Sequence, residues 1–225
     1  MKPPPRFESA FESAAFATSV AELAALASAP LAMVPEIAFV GRSNAGKSTA
    51  INLLTNRRRL AFASKTPGRT QMLNFFALRS GGGETGPPGA YLVDLPGYGF
   101  AKTDAQTRAR WDGLVGGYLQ SRRMLRGVVL VMDARRPCQS ADEDLMAWLC
   151  GRADLDRFRL HMLLSKSDQV GTAQRRAARA LAERRAAELP IATSVQTFSA
   201  LEREGIEELR DAVAGILEGS PAAAA

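Results

Sequence analysis

Ile37-Ala-Phe-Val40-Gly41-Arg42-Ser43-Asn44-Ala45-Gly46-Lys47-Ser48-Thr49 is the stretch that decides the fold. Four apolar residues ending in a glycine read as a buried strand, and Lys47 to Asn56 reads as a helix. Between them Gly41 to Ser48 fits G-x-x-x-x-G-K-[ST] in its required setting, strand before and helix after. Glycines let the backbone wrap a polyphosphate without Cβ clashes. The N–H groups of Arg42 to Thr49 and the helix N-terminus supply positive potential. Lys47 is placed to reach the β- and γ-phosphates, and the Ser48 hydroxyl is a hard oxygen ligand for Mg²⁺. The loop predicts a bound nucleoside triphosphate and is silent on the base.

Working outward, apolar runs and amphipathic segments alternate. Strands are expected at 72–79, 90–94, 127–133, 159–165 and 194–198, and helices at 103–124, 140–150, 173–189 and 206–217. Thr103-x-x-Gln106 and Ser140-x-x-Glu143 read as capping boxes. Alternation of this kind implies a parallel α/β sheet with helices on both faces and the ligand beyond the carboxyl ends of the strands. Residues 1–35 read as an N-terminal, partly disordered extension whose alanine-rich part, 13–29, is expected to be helical. Residues 36–218 are the nucleotide-binding domain, and 219–225 a disordered tail.

Two further strand ends carry phosphate chemistry. Asp94-Leu95-Pro96-Gly97 suits a carboxylate near Mg²⁺ and a Gly97 N–H that senses the γ-phosphate. Upstream, Thr66-Pro-Gly68-Arg69-Thr70-Gln71-Met72 offers Thr70 as a second hydroxyl ligand for Mg²⁺, the alternative being a polar turn around Pro67-Gly68. The base is read elsewhere. Ser165-Lys166-Ser167-Asp168 follows a strand, and a carboxylate at Asp168 accepts two hydrogen bonds from guanine N1–H and its 2-amino group. Adenine has neither donor, so the motif predicts GTP and GDP rather than ATP. Lys166 is expected to lay its stem along the base. Ser165 stands where Asn or Thr is usual and lacks the Thr methyl, which predicts a looser link to the phosphate loop. Phe198-Ser199-Ala200 ends the next strand, and Ala200 N–H is the candidate donor to guanine O6.

Five elements in this order resemble translation-factor-class P-loop GTPases, and the YihA/EngB (YsxC-like) family of bacterial ribosome-assembly GTPases most closely. The marks are the loop 41–48, Thr66 to Gln71 with Asn74-Phe75-Phe76, and Asp94-Leu-Pro-Gly-Tyr-Gly-Phe-Ala101. The resemblance spans about Phe16 to Leu217. It implies a six-stranded G domain, Mg²⁺-dependent GTP hydrolysis, a role in large-ribosomal-subunit assembly with its rRNA, and a requirement in normal division and septation. Lys47, Asn44, Thr70 and Gly97 are the candidate catalytic set. Ser48, Thr70 and Asp94 are the candidate metal ligands. Tyr98 occupies the place of a water-orienting Gln, so slow intrinsic turnover is expected. Asn44 has two readings: a solvent-facing loop residue, or a ligand of a K⁺ that stimulates hydrolysis.

Composition bounds the rest. The chain has 225 residues, 29 Lys+Arg against 23 Asp+Glu, two cysteines and one histidine. This excludes a disulfide framework and a histidine-rich metal centre. No apolar run reaches membrane-spanning length. Glu8, Glu12 and Glu22 interrupt the apolar stretch a secretion signal needs, so a cytoplasmic protein is expected. Residues 57–79 carry Arg57, Arg58, Arg59, Lys65, Arg69 and Arg79 with no acid, and 102–136 carry eight basic residues against three acidic. These segments predict a nucleotide-dependent RNA-binding face. No dimerisation element is evident, so a monomer is expected. Two other readings remain open: a nucleotide-gated ribosome-binding module with negligible hydrolysis, and a P-loop kinase.

Overall fold

A computed structural model describes residues 7, 10–61, 72–79, 86–99 and 105–219. Seven strands form one sheet: β1 (Ala15–Val20), β2 (Glu36–Gly41), β3 (Leu73–Arg79), β4 (Pro88–Asp94), β5 (Leu125–Asp133), β6 (Arg159–Ser165) and β7 (Ala192–Thr197). Their order is β1-β3-β4-β2-β5-β6-β7. Strands β4, β2, β5, β6 and β7 run parallel, whereas β3 is antiparallel to both β4 and β1. Helices α1 (Lys47–Leu54), α4 (Ser140–Cys150) and α5 (Thr172–Ala187) connect strands, and α6 (Ile206–Glu218) follows β7. Between β4 and β5 run α2 (Ala105–Trp111), a π-helical turn over Asp112–Gly116, and α3 (Gly117–Ser121).

The core follows from strand periodicity. Every residue of β2 is buried, because the strand is paired on both sides and covered on both faces. Ile37 and Phe39 face the layer of α1 and α6, packing with Ile51, Leu209 and Val213. Ala38 and Val40 face the opposite layer, with Tyr118, Leu145 and Ala182 from α3, α4 and α5. The only histidine, His161, lies at the centre of β6 and is 2% exposed.

Three local expectations are corrected. The alanine-rich stretch 13–29 is not a helix: β1 adds a seventh strand to the six expected, and a short 3₁₀ turn follows at Leu23–Ala27. Pairing with β3 outweighs alanine's helix preference, since it satisfies an open sheet edge, sets Phe16 edge-on to Phe76 at 6.3 Å, and brings Ser19 Oγ to 2.7 Å from Asn74 Oδ1. The helix expected over 103–124 is interrupted by the π turn, where Gly116 lies so near Trp148 that an added Cβ would stand 3.0 Å from the indole. The cap of α4 sits one residue earlier than expected, as Gln139 N–H donates to Asp142 Oδ2 at 2.9 Å. Thr103 lies outside the described residues.

Candidate functional site

Strand β2 delivers the phosphate loop to the middle of the sheet, between β4 and β5. Gly41 is obligatory there for space, because a Cβ would sit 2.4 Å from the Val131 carbonyl oxygen on β5. The chain then reverses. Ala45 N–H donates to Arg42 O at 2.9 Å, and both Asn44 (φ 64°) and Gly46 (φ 97°) take the left-handed conformation. Helix α1 begins at Lys47 with no side chain capping its N-terminus, so its first N–H groups are left to an incoming anion. Lys47 forms an ion pair with Asp94, which is 5% exposed at the end of β4.

The Asp94–Gly97 turn lies directly against the loop. Leu95 N–H donates to Phe39 O at 3.0 Å, and Ser43 N–H donates to Tyr98 O at 2.9 Å. A Cβ on Gly97 would come within 3.0 Å of Ser43 Oγ, so glycine permits this approach. Ser43 Oγ is itself buried without a hydrogen-bond partner. Tyr98 does not face the phosphates. Its phenol donates to Asp142 Oδ1 at 2.6 Å, and its ring packs edge-on against Trp111 at 5.6 Å. Burial, then the Asp142 charge, push the phenol's pKa well above its ordinary value, so it is neither a base nor a water-orienting group.

The base-reading segments close the other side. The Ser165 hydroxyl contacts Ala45 O and lies 3.0 Å from Met132 O. Ser165 therefore ties this segment to the phosphate loop through the hydroxyl it keeps. Lys166, left-handed at φ 58°, donates to Asn44 O and to Asp133 Oδ2, the latter at 3.0 Å. Burial raises the Asp133 carboxyl, yet hydrogen bonds from Arg135 and Lys166 outweigh it and hold it well below the usual carboxylate range. Asp133 thus stays ionised and anchors Lys166 across the loop. Asp168 accepts a hydrogen bond from Ser199 Oγ at 2.7 Å, which orients its carboxyl. The 198–200 segment is fixed beside it, with Ser167 N–H on Phe198 O at 3.1 Å, Phe198 N–H on Leu164 O at 2.8 Å and Ala200 half-buried.

The structure thus brings 41–49, 94–97, 165–168 and 198–200 to one end of the sheet. Gly68, Arg69, Thr70 and Gln71 lie outside the described residues, and Met72 is 40% exposed just before β3. Asp133 joins the site without having been expected there, although an acid closing β5 opposite Ser165 in the β5–β6 register is the signal that marks it. Trp111 is more than a packing residue, since its indole N–H donates to Pro96 O at 2.9 Å inside the Asp94–Gly97 turn.

A mostly parallel sheet with this loop, a carboxylate closing a second strand and the Ser165–Asp168 segment beside them is the architecture of a P-loop GTPase. Residues 36–163 match the model of a family described as 50S ribosome-binding GTPase. The chain is 44% identical over 198 residues to a probable GTP-binding protein EngB of Cupriavidus taiwanensis, covering 84% of this chain and 79% of that one. To the probable EngB of Paraburkholderia xenovorans it is 47% identical over 184 residues, covering 80% and 81%. The chain belongs to the EngB family of GTP-binding proteins. Two solved structures share the fold: a probable GTP-binding protein EngB (TM-score 0.54, 19% identity, 81% of this chain and 98% of that one) and Era of Aquifex aeolicus bound to GDP·AlF₄⁻ (0.57, 20%, 85% and 58%).

Proposed function

We propose that this GTPase binds GTP with Mg²⁺, hydrolyses it slowly, and switches the protein on and off precursors of the large ribosomal subunit. Normal division and septation depend on it through the supply of ribosomes, and it acts in the cytoplasm as a monomer. The observation that carries the reading is the tie between base and phosphate sites: Ser165 and Lys166 reach the carbonyls of Ala45 and Asn44, so one rigid frame measures a guanine and its polyphosphate together.

The oxygen donors Ser48 and Asp94 fit Mg²⁺, which favours hydroxyl, carboxylate, phosphate and water. When bound, Mg²⁺ neutralises charge on the β- and γ-phosphates. Lys47 orients the same oxygens, and the Gly97 N–H points the turn at the terminal phosphate. Thr70 completes the metal shell in this proposal. The sequestered Tyr98 phenol supports slow turnover.

Asn44 keeps both readings, since its exposed side chain at the phosphate loop suits a solvent-facing residue as well as the K⁺ ligand of this proposal. Comparison of GTPase rates in K⁺ and Na⁺ at equal ionic strength tests it, and equal rates refute it.

A nucleic-acid partner is supported by charge. Arg57, Arg58, Arg59 and Arg79 line one surface groove with Ser13 to Ala15. This groove lies at the Arg79 end of β3, away from Asn74, which pairs with Asp94 beside the nucleotide. A phosphate backbone held there contacts the protein far from the γ-phosphate.

The decisive experiment is calorimetry of guanine and adenine nucleotides, followed by pelleting with ribosomal particles in GDP or a non-hydrolysable GTP analogue across a salt series. Selective guanine binding and triphosphate-dependent, salt-sensitive pelleting are expected. Equal affinity for ATP overturns the base assignment, and nucleotide-blind pelleting overturns the switch.

A further inference from the structure

We propose that Asp142 and Trp111 are positioning residues for the turn that carries Gly97, so that arrival of a γ-phosphate is transmitted to α4 and the α2–α3 segment. The inference rests on the reading of Gly97 as the γ-phosphate sensor. Two side-chain hydrogen bonds hold the turn from outside. Trp111 Nε1–H donates to Pro96 O at 2.9 Å, one residue before Gly97. The Tyr98 phenol donates to Asp142 Oδ1 at 2.6 Å, one residue after it. Gly97 is therefore bracketed by a contact from α2 and a contact from α4.

The bracket is connected within itself. The Tyr98 and Trp111 rings meet edge-on at 5.6 Å, and Trp111 stacks on Trp148 of α4 at 5.8 Å with 27° between planes. Asp142 is fully buried, and its second oxygen accepts Gln139 N–H at 2.9 Å, which locks the carboxyl to the start of α4. Burial raises the Asp142 carboxyl, and the Tyr98 and Gln139 hydrogen bonds oppose this. On the far side Gly116 leaves room for Trp148, and Gly117 leaves room for Leu23, where Cβ atoms would fall 3.0 and 2.4 Å from those side chains.

A displacement of Gly97 toward a γ-phosphate pulls on Pro96 O and on Tyr98. In the α2–π–α3 segment the tryptophan bonded to that turn closes α2, and an extra-wide helical turn follows it directly. Such turns are rare inside α-helices and are frequent at functional sites. The fold thus places a mechanical link between the nucleotide and a helical surface that no nucleotide contact reaches.

The test compares wild type, Tyr98→Phe, Asp142→Ala and the double variant by calorimetry with GDP and with a non-hydrolysable GTP analogue. Loss of a hydrogen bond to a buried carboxylate is expected to weaken the analogue about tenfold while GDP stays within about twofold, and the double variant should lose no more than either single. Fluorescence supplies a second readout. In a Trp148→Phe background Trp111 is the sole tryptophan, and its emission should shift between GDP and the analogue. Adding Tyr98→Phe should reduce that shift. GDP binding reports folding; should Asp142→Ala fail to fold, Tyr98→Phe decides alone. Unchanged analogue affinity, or an equal loss for GDP and analogue, overturns the link. If Gly97→Ala loses the analogue while Tyr98→Phe keeps it, the link falls and the sensor stands. If both keep it, the sensor reading falls and the link with it.

Discussion

His161 gives a pH dependence that the structure makes quantitative. The ring sits between β6 and β7, with Nδ1 2.8 Å from Ser194 Oγ and Nε2 2.9 Å from Gln196 Oε1. Gln196 Nε2 donates to Gly205 O at 2.9 Å, which turns its Oε1 toward the histidine. Nε2 therefore carries the proton, and Nδ1 accepts from Ser194. Burial lowers the pKa from 6.5 to about 4, while the Gln196 bond opposes the shift. The folded protein keeps this imidazole neutral, whereas the unfolded chain binds a proton below pH 6.5, so acid favours unfolding. The stability is present above pH 6.5 and is lost as pH falls toward 4. From these two values the loss between pH 7 and pH 5 is about 2 kcal/mol, and about 3 kcal/mol once both forms are protonated. Urea unfolding of wild type and His161→Phe at pH 7, 6 and 5 checks it. The variant removes the titration, so its stability should fall less steeply by that amount. Parallel profiles for the two proteins would refute the argument. The consequence is functional too, since β6 and β7 end in Ser165 and Thr197, the strand ends from which both base-reading segments continue.

Lys47→Ala removes the cation that balances Asp94 and meets the phosphates, and triphosphate affinity should drop by at least about a hundredfold in calorimetry. Asp168→Asn keeps an oxygen for Ser199 but replaces an acceptor with a donor toward guanine. Binding of GDP should weaken about a hundredfold, xanthosine diphosphate should bind better than GDP, and unchanged guanine preference would remove the carboxylate assignment. Arg122→Ala strips a guanidinium from Glu36, a fully buried carboxylate at the start of β2, leaving Tyr118 as its remaining side-chain donor at 2.9 Å. A buried charge without its partner costs about 3 kcal/mol, readable as a lower urea midpoint, while nucleotide selectivity at the other end of the sheet should persist.

Much of the site is legible in the sequence because its chemistry is local. A strand, a glycine-rich turn and a helix write the phosphate loop within about a dozen residues, and the other segments each follow an apolar run. Apolar runs bounded by turn residues place β2 through β7 to within a few residues. Residues 15–20 escape such a reading because alanine's helix preference is visible locally, whereas the partner that makes them a strand lies about 60 residues downstream at 73–77. The interrupted helix over 105–121 is hidden for a related reason. Gly113, Gly116 and Gly117 mark a break, but the groups packed against Gly116 and Gly117, the indole of Trp148 and the side chain of Leu23, are both remote in sequence.

Side-chain direction is the property that sequence withholds, and Tyr98 is the case in point. Position alone puts its phenol where a catalytic glutamine stands in other GTPases. The fold sends it the other way, because an aromatic ring and a hydroxyl find a buried slot between Trp111 and Asp142. Tyr98 therefore contributes its backbone to the phosphate loop, where its carbonyl accepts from Ser43 N–H, and its side chain to the helical layer. A polar side chain retained beside the phosphates would serve hydrolysis at that point. One that is withdrawn leaves that task to other groups. The same withdrawal ties the turn to α4 through one buried hydrogen bond, from which the proposed slow turnover and the proposed coupling to the helical layer would both follow.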